Sequence, residues 1–247
     1  MNSLQISFQP TPLSVGFFLT FTKKQMRVFP LFLAILFCSL GVAQETENIY
    51  SIVDKVSSSR IEQDIKKLVS FGTRHTLSDT LSEHRGIGAA RRWIKSEFDQ
   101  ISKNCNGCLE VFYQKNYFTP KDGDRIVKPV WINNVVAIQK GKTHPNRFII
   151  MSGDIDSRIS DPTNYTDDSP GANDNASGMA GALEAARVLS DYSFENSILY
   201  VGLAGEEQGL FGGKGLAQYA LDQGWEIIGI LNNDMIGNIQ GVDGVID

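Results

Sequence analysis

The 247-residue chain is 42% hydrophobic and 21% charged, with 23 glycines and 8 prolines. That is globular composition, long enough for one full catalytic domain but not two, and it excludes disordered, collagenous and coiled-coil classes. Acids outnumber bases, 28 to 23, for a formal charge of −5, so the basic excess that neutralises phosphates is missing and no nucleic acid partner is expected.

Residues 1–43 contain Lys23, Lys24 and Arg27 but no acid, so removing them leaves the rest of the chain at −8. The apolar run 28–40 follows those bases, is too short for a membrane span, and ends in the small residues Gly41-Val42-Ala43. This is the pattern of a secretory signal. It predicts export to the periplasm or the extracellular space, cleavage near Ala43, a true start at Met26, and a mature chain without a stable membrane span. Cys38 reads as a signal-core residue, because Phe37 is too large to precede a lipid-anchored cysteine. Cys105 and Cys108 remain, flanked by Asn104, Asn106 and Gly107, and in an exported chain such a pair predicts a local disulfide in an exposed loop.

After the leader, Ser59-Arg60-Ile61-Glu62 has the form of a capping box, and Ile61, Ile65, Leu68 and Val69 recur at helical spacing up to Gly72. Ile87, Ala90, Ile94, Phe98 and Ile101 repeat the pattern and predict a helix over 82–102. Residues 122–128 are polar and turn-rich, and 131–138 reads as a strand. The alternation then becomes regular: strand 147–151, helix 177–189, strand 197–201, helix 214–223 and strand 227–231. Alternating strands and helices predict an α/β fold, a mixed, largely parallel sheet sandwiched by helices. Residues 44–247 are expected to form one catalytic domain.

Three of these strands are followed within a few residues by acids: Asp154 and Asp156, then Glu206 and Glu207, then Asp234. In open α/β sheets ligands bind outside the carboxyl ends of the strands, so these acids should face one crevice. A fourth group, Asp174, lies in the turn-rich segment 169–178, which opens a helix. An acid there can be a plain helix cap, and Glu206-Glu207 can be a solvated charge run. Packed together, however, such carboxylates repel unless cations neutralise them, and a metal site resolves the repulsion. A calcium loop of the EF-hand type is excluded because Ile159 stands where it needs Gly. H-E-x-x-H and G-x-S-x-G motifs are absent, and adjacent glutamates do not face each other across a sugar as a glycosidase requires.

These residues resemble the co-catalytic two-zinc aminopeptidases, metallopeptidase family twenty-eight. The resemblance runs from residue 46 to 247 and is most specific over 170–178, 204–213 and 232–237. It implies a zinc aminopeptidase-like (phosphorylase/hydrolase-like) fold and two divalent metal ions: zinc, with manganese, cobalt and magnesium as alternatives. Asp174 is then the carboxylate bridging both ions, Glu206 the general base, Glu207 a ligand of one ion and Asp234 a ligand of the other. Adjacent Glu206 and Glu207 can differ in role if the segment is extended, since successive side chains then point to opposite sides.

Two departures from the family pattern stand out. Where the family has His-x-Asp, this chain has Asp154-Ile155-Asp156, so Asp154 would ligate through oxygen, with Asp156 in its supporting catalytic role, and the site becomes harder. The family also supplies a later His from a C-terminal segment that does not appear before Asp247, so the domain is expected to lack its C-terminal part. His75 reads as structural or cleft-lining, and His84 and His144 as surface residues. The implied activity is an exported di-metal exopeptidase, most simply an aminopeptidase acting on a peptide substrate. Glutaminyl-cyclase-like and carboxypeptidase-like relatives, or an inactive peptide-binding member, are the alternatives.

Overall fold

Helix α1 (Ile49–Val53) leads into α2 (Ser58–Val69), which begins at Ser57, whose Oγ accepts the Arg60 N–H at 3.2 Å. The expected box at Ser59 and Glu62 is therefore displaced: Ser59 lies within the helix and Glu62 pairs with Lys66 one turn on. Helix α3 (Gly86–Asn104) starts four residues later than its periodicity predicts. Ser82 Oγ accepts the N–H groups of His84 and Arg85, holding that stretch as a turn, while Ser78 Oγ accepts the Ile87 N–H. The structure, a computed structural model, describes residues 49–238 and 240. The expected leader, with Met26, Cys38 and the cleavage point at Ala43, lies outside the described residues. No helix among them is long and apolar enough to cross a membrane.

Cys105 and Cys108 form the disulfide expected of them. It sits between α3 and β1 (Leu109–Phe118), a strand with no clean alternation, half-buried over most of its length. Strand β2 (Val130–Gln139) pairs antiparallel with β1 and with β4 (Asn196–Leu203), and β3 (His144–Asp154) lies parallel between β4 and β5 (Glu226–Asn233). The order is β1-β2-β4-β3-β5. The sheet is mixed as expected, and β3, β4 and β5 all point their carboxyl ends the same way.

Side chains alternate across this sheet, so each strand feeds two cores. Val135 and Ala137 of β2 and Ile198 and Tyr200 of β4 pack with α2, α3 and α4 (Gly178–Leu189). Val136, Ile138, Leu199 and Val201 turn to the other face, against Leu216 of α5 (Phe211–Asp222) and beside Phe148 and Ile150 of β3. The small residues of α4 permit close approach. A Cβ on Gly153 would lie 2.5 Å from the Gly178 carbonyl carbon, and one on Gly178 would lie 2.0 Å from the Asn233 oxygen. The start of α4 is thus pressed against the ends of β3 and β5.

Tyr200 is fully buried, and its hydroxyl donates to Gln139 Oε1 at 2.9 Å. Gln139 Nε2 in turn donates to the Leu189 and Tyr192 carbonyls, fastening the end of α4 to the sheet. Tyr200→Phe keeps the ring but orphans that oxygen, so urea denaturation should read a loss of about 1–3 kcal/mol, the cost of an unpaired buried acceptor. A variant as stable as the parent would show that the pair does not hold α4.

Candidate metal centre and active site

Asp154 ends β3 and Asp156 follows two residues later, both buried. The fully buried Arg74 holds the turn between them. Its Nε donates to the Ile155 carbonyl at 2.8 Å, its Nη1 to Pro170 O at 2.6 Å and Leu68 O at 3.3 Å, and its Nη2 to Gly171 O at 2.8 Å. One guanidinium therefore ties the end of β3 to the segment that carries Asp174. Burial pulls its pKa down to about 10, partly offset by the charges of Asp156 and Asp174, so it stays cationic at neutral pH.

Asp156 does not touch Asp154; it binds the next strand's turn instead. Its Oδ2 accepts the Thr76 hydroxyl at 2.8 Å and the Glu207 N–H at 3.1 Å, and its Oδ1 accepts the Glu206 N–H at 3.2 Å. Glu206 and Glu207 lie in this turn rather than in the extended segment expected. The Gly209 and Leu210 N–H groups donate to Glu206 O at 2.9 Å, and Gly205 takes the left-handed φ of +74° that begins the reversal. Turn geometry, not strand alternation, separates the two side chains. Asn134, buried in β2, braces the same turn: its Oδ1 accepts the Ala204 N–H at 2.9 Å and its Nδ2 donates to Gly212 O at 2.8 Å.

The segment Ala172–Ser177 is a kinked wide turn in which Asp174 and Asn175 leave helical dihedrals and are joined by a cis peptide, and Asp174 is exposed within it. The cap of α4 is Asn175, whose Oδ1 accepts the Gly178 N–H at 3.0 Å; Asp174 is free of that duty. Asn175 Nδ2 donates to Asp154 Oδ2 at 3.0 Å and to Asn233 O at 2.9 Å, and its Oδ1 also accepts the Met235 N–H at 3.3 Å. The Asn175 amide thus grips Asp154 and the backbone on both sides of Asp234.

Asp154, Glu206 and Asp234 line one crevice of about 450 Å3, with Lys214 also in its wall. Asp174 and Glu207 are not in that wall, although their charges act on Glu206. Burial, then the neighbouring acids Asp156, Glu207, Asp234 and Asp174, push the Glu206 carboxyl up to about 7. Asp154 is likewise pushed up to about 7 by burial and by Asp156, Glu206 and Asp234, against the pull of the Asn175 hydrogen bond. Burial raises Asp156 against its hydrogen bonds, and raises Glu207 against the Arg158 guanidinium paired with Glu207 Oε2.

Carboxylates driven this far up are short of countercharge, and hard oxygen donors are what a small divalent cation takes. The donor chemistry fits a metal ion. Asp174 and Asp234 make no side-chain hydrogen bond or ion pair among the described residues, which leaves their carboxylates available. Yet no three His, Cys, Asp or Glu side chains among the described residues stand close enough together to hold one ion, and Glu207 would have to give up Arg158 to serve as a ligand.

His75 is buried, its Nδ1 accepting the Leu77 N–H at 3.1 Å and its Nε2 standing 3.0 Å from Pro162 O. Burial lowers its pKa, and it is a satisfied structural histidine, as expected. His84 and His144 are exposed. Arg74, Thr76, Asn134, Asn175 and Arg158 escape a reading of the sequence. The only signal for Arg74 and Thr76 was their place on either side of His75.

A family model described as Peptidase family M28 matches residues 134–243. A probable zinc metalloprotease of Pyrenophora tritici-repentis (strain Pt-1C-BFP) is 41% identical over 201 residues, covering 81% of this chain and 46% of that protein. The chain spans about half the length of the curated relatives it matches. Among solved structures, LapB from Legionella pneumophila aligns with a TM-score of 0.62 at 24% identity, over 81% of this chain and 49% of LapB. An aminopeptidase from Aneurinibacillus sp. strain AM-1 aligns at 0.56 with 18% identity, over 77% of this chain and 73% of that one. At these identities the two structures show the shared fold.

Arg74→Met should be severely destabilising. It removes the only donors shown for the Ile155 and Pro170 carbonyls, since Leu68 O and Gly171 O also accept the Phe71 and Ala176 N–H groups; at about 1–3 kcal/mol for each group left unpaired and dry, a loss above ~2 kcal/mol is expected in thermal or urea unfolding. A loss below ~1 kcal/mol would show that water replaces the guanidinium.

Proposed function

This chain belongs to peptidase family M28 through residues 134–243, and we propose that it is an exported di-metal exopeptidase that removes N-terminal residues from peptides. The observation that carries the reading is the set of acids at the ends of β3, β4 and β5, with Glu206 raised to about 7 in a crevice it shares with Asp154 and Asp234. Asp174 would serve both ions, Glu207 one and Asp234 the other, with Asp154 as a further ligand. When bound, the ions supply Lewis acidity and make a water acidic enough to attack at neutral pH. Glu206 would act as general base, taking a proton from the attacking water and passing it to the leaving amine, while Asp156 holds the Glu206–Glu207 turn through two backbone N–H groups. An acidic crevice attracts the cationic amino terminus of a peptide and repels a terminal carboxylate, which favours aminopeptidase over carboxypeptidase action. Zinc is the first choice of metal, in keeping with the names of the relatives. Export is supported by the leader pattern of residues 1–43 and by the Cys105–Cys108 disulfide, a bond kept in oxidising compartments.

Glu206→Gln should lower turnover of an aminoacyl anilide by about 10²–10⁴-fold while metal content by mass spectrometry stays at the parent level. Metal loss in step with activity would make Glu206 a ligand. Asp174→Asn should lose both ions together, and retention of one would remove the bridging role.

Asp154→Ala should lower metal occupancy, whereas Asp154→His should keep it and move preference toward zinc, since imidazole suits that ion. Unchanged metal titration in the alanine variant would make Asp154 a loop residue. A second reading, a peptide-binding protein without turnover, is favoured by the Arg158 guanidinium seated on Glu207. A purified chain that binds peptide but holds no stoichiometric metal would decide for it.

A further inference from the structure

The end of the sheet that carries the acidic crevice also opens into a second cleft of about 580 Å3 with the opposite charge. Arg91, Lys115 and Lys128 line it, and its wall contains no acid. Lys128 stacks on the Tyr165 ring at 3.8 Å, and none of the three is in an ion pair among the described residues. The Arg91 guanidinium is partly buried and donates no hydrogen bond there. Tyr117 and Trp131, more than half exposed, stand ring to ring at 5.1 Å along the same wall.

Asn133 of β2, opposite Lys115 in the β1–β2 register and 8% exposed, also lines the cleft, with Oδ1 buried and unpaired. Its side chain makes no hydrogen bond among the described residues, in contrast to Asn134 beside it, which is fully paired. A buried amide left unpaired is costly unless a ligand satisfies it. A fully deprotonated anion such as sulfate could meet the three cations but offers no donor to Asn133 Oδ1, and a phosphate O–H could reach that oxygen but would leave the length of the cleft unfilled. A peptide bearing carboxylates offers both, an N–H for the amide oxygen and acidic side chains for the lysines and arginine.

Residues 76–78 run from the basic cleft to Asp156, which accepts the Glu206 N–H. Thr76 donates to Asp156 Oδ2, and Leu77 and Ser78 lie in the wall of the basic cleft. We propose that this cleft seats an acidic segment of a peptide, downstream of the terminal residue held in the acidic crevice. That the segment belongs to a substrate rests on the peptidase reading; the affinity for acidic peptide does not.

The test is calorimetric titration of the purified chain with acetyl-tetraglutamate amide, whose blocked ends prevent turnover. Binding is expected, weakening as salt is raised and by about tenfold or more in the Lys115→Glu, Lys128→Glu double variant. Asn133→Leu breaks no existing hydrogen bond, so it should fold normally and still bind several-fold more weakly. Acetyl-tetralysine amide should not bind. Absence of binding, indifference to the charge reversals, or equal affinity for inorganic phosphate would overturn the proposal. With unblocked peptides, a lower KM for sequences carrying Glu than for those carrying Lys should vanish in the double variant. Blocked-peptide binding without any hydrolysis would keep the cleft and discard the peptidase reading, and hydrolysis without such binding would do the reverse.

Discussion

Three parallel strands end at the same edge of one sheet, and each hands the chain an acid there. Carboxylates gathered in this way repel one another, and burial makes the repulsion worse because little water is left to screen it. The protein does not relieve this strain by pairing each acid with a base. Arg158 on Glu207 is the one ion pair within the group. What resists the repulsion is a frame of polar side chains that bind backbone, so the turns bearing the acids cannot move apart even though their charges favour it.

The frame is built from a few fully engaged groups. Arg74 joins the turn after β3 to the segment before Asp174. Asn134 and Asp156 grip the turn after β4 from both sides. Asn175 links Asp154, the start of α4 and the end of β5. Each is almost wholly buried, and each satisfies N–H or C=O groups that a tight turn would otherwise leave unpaired. The same hydrogen bonds that make these turns affordable in the interior also fix where their acids stand.

The strands were legible as apolar runs: 197–201 because that strand is buried on both faces, and 227–231 although Ile228, Ile230 and Leu231 stand exposed at the sheet edge. Strand β1 was not: its residues face half-buried surroundings on both sides and show no period. The acids were legible from their place after strands, which topology turns into proximity. Their supports were not, since an Arg or Asn that binds backbone carbonyls looks in sequence like any surface residue. The Glu206–Glu207 turn shows the limit of local pattern: its reversal depends on Gly205 and on Asp156 some fifty residues earlier. The Ser59 box failed for a related reason, since Ser57 offered the helix an earlier cap with its own side chain.

All four hydrogen bonds of Arg74 go to neutral carbonyls, so its positive charge acts on Asp156 and Asp174 without an ion pair. A carbonyl frame closed by a permanent cation assembles with the rest of the domain, whether or not ions are present outside. On the proposed reading, metal binding would then be uncoupled from folding, unlike in the small domains that collapse when chelated. In the exported di-metal reading proposed above, such a chain would mature in a compartment poor in metal and be charged wherever ions are first met.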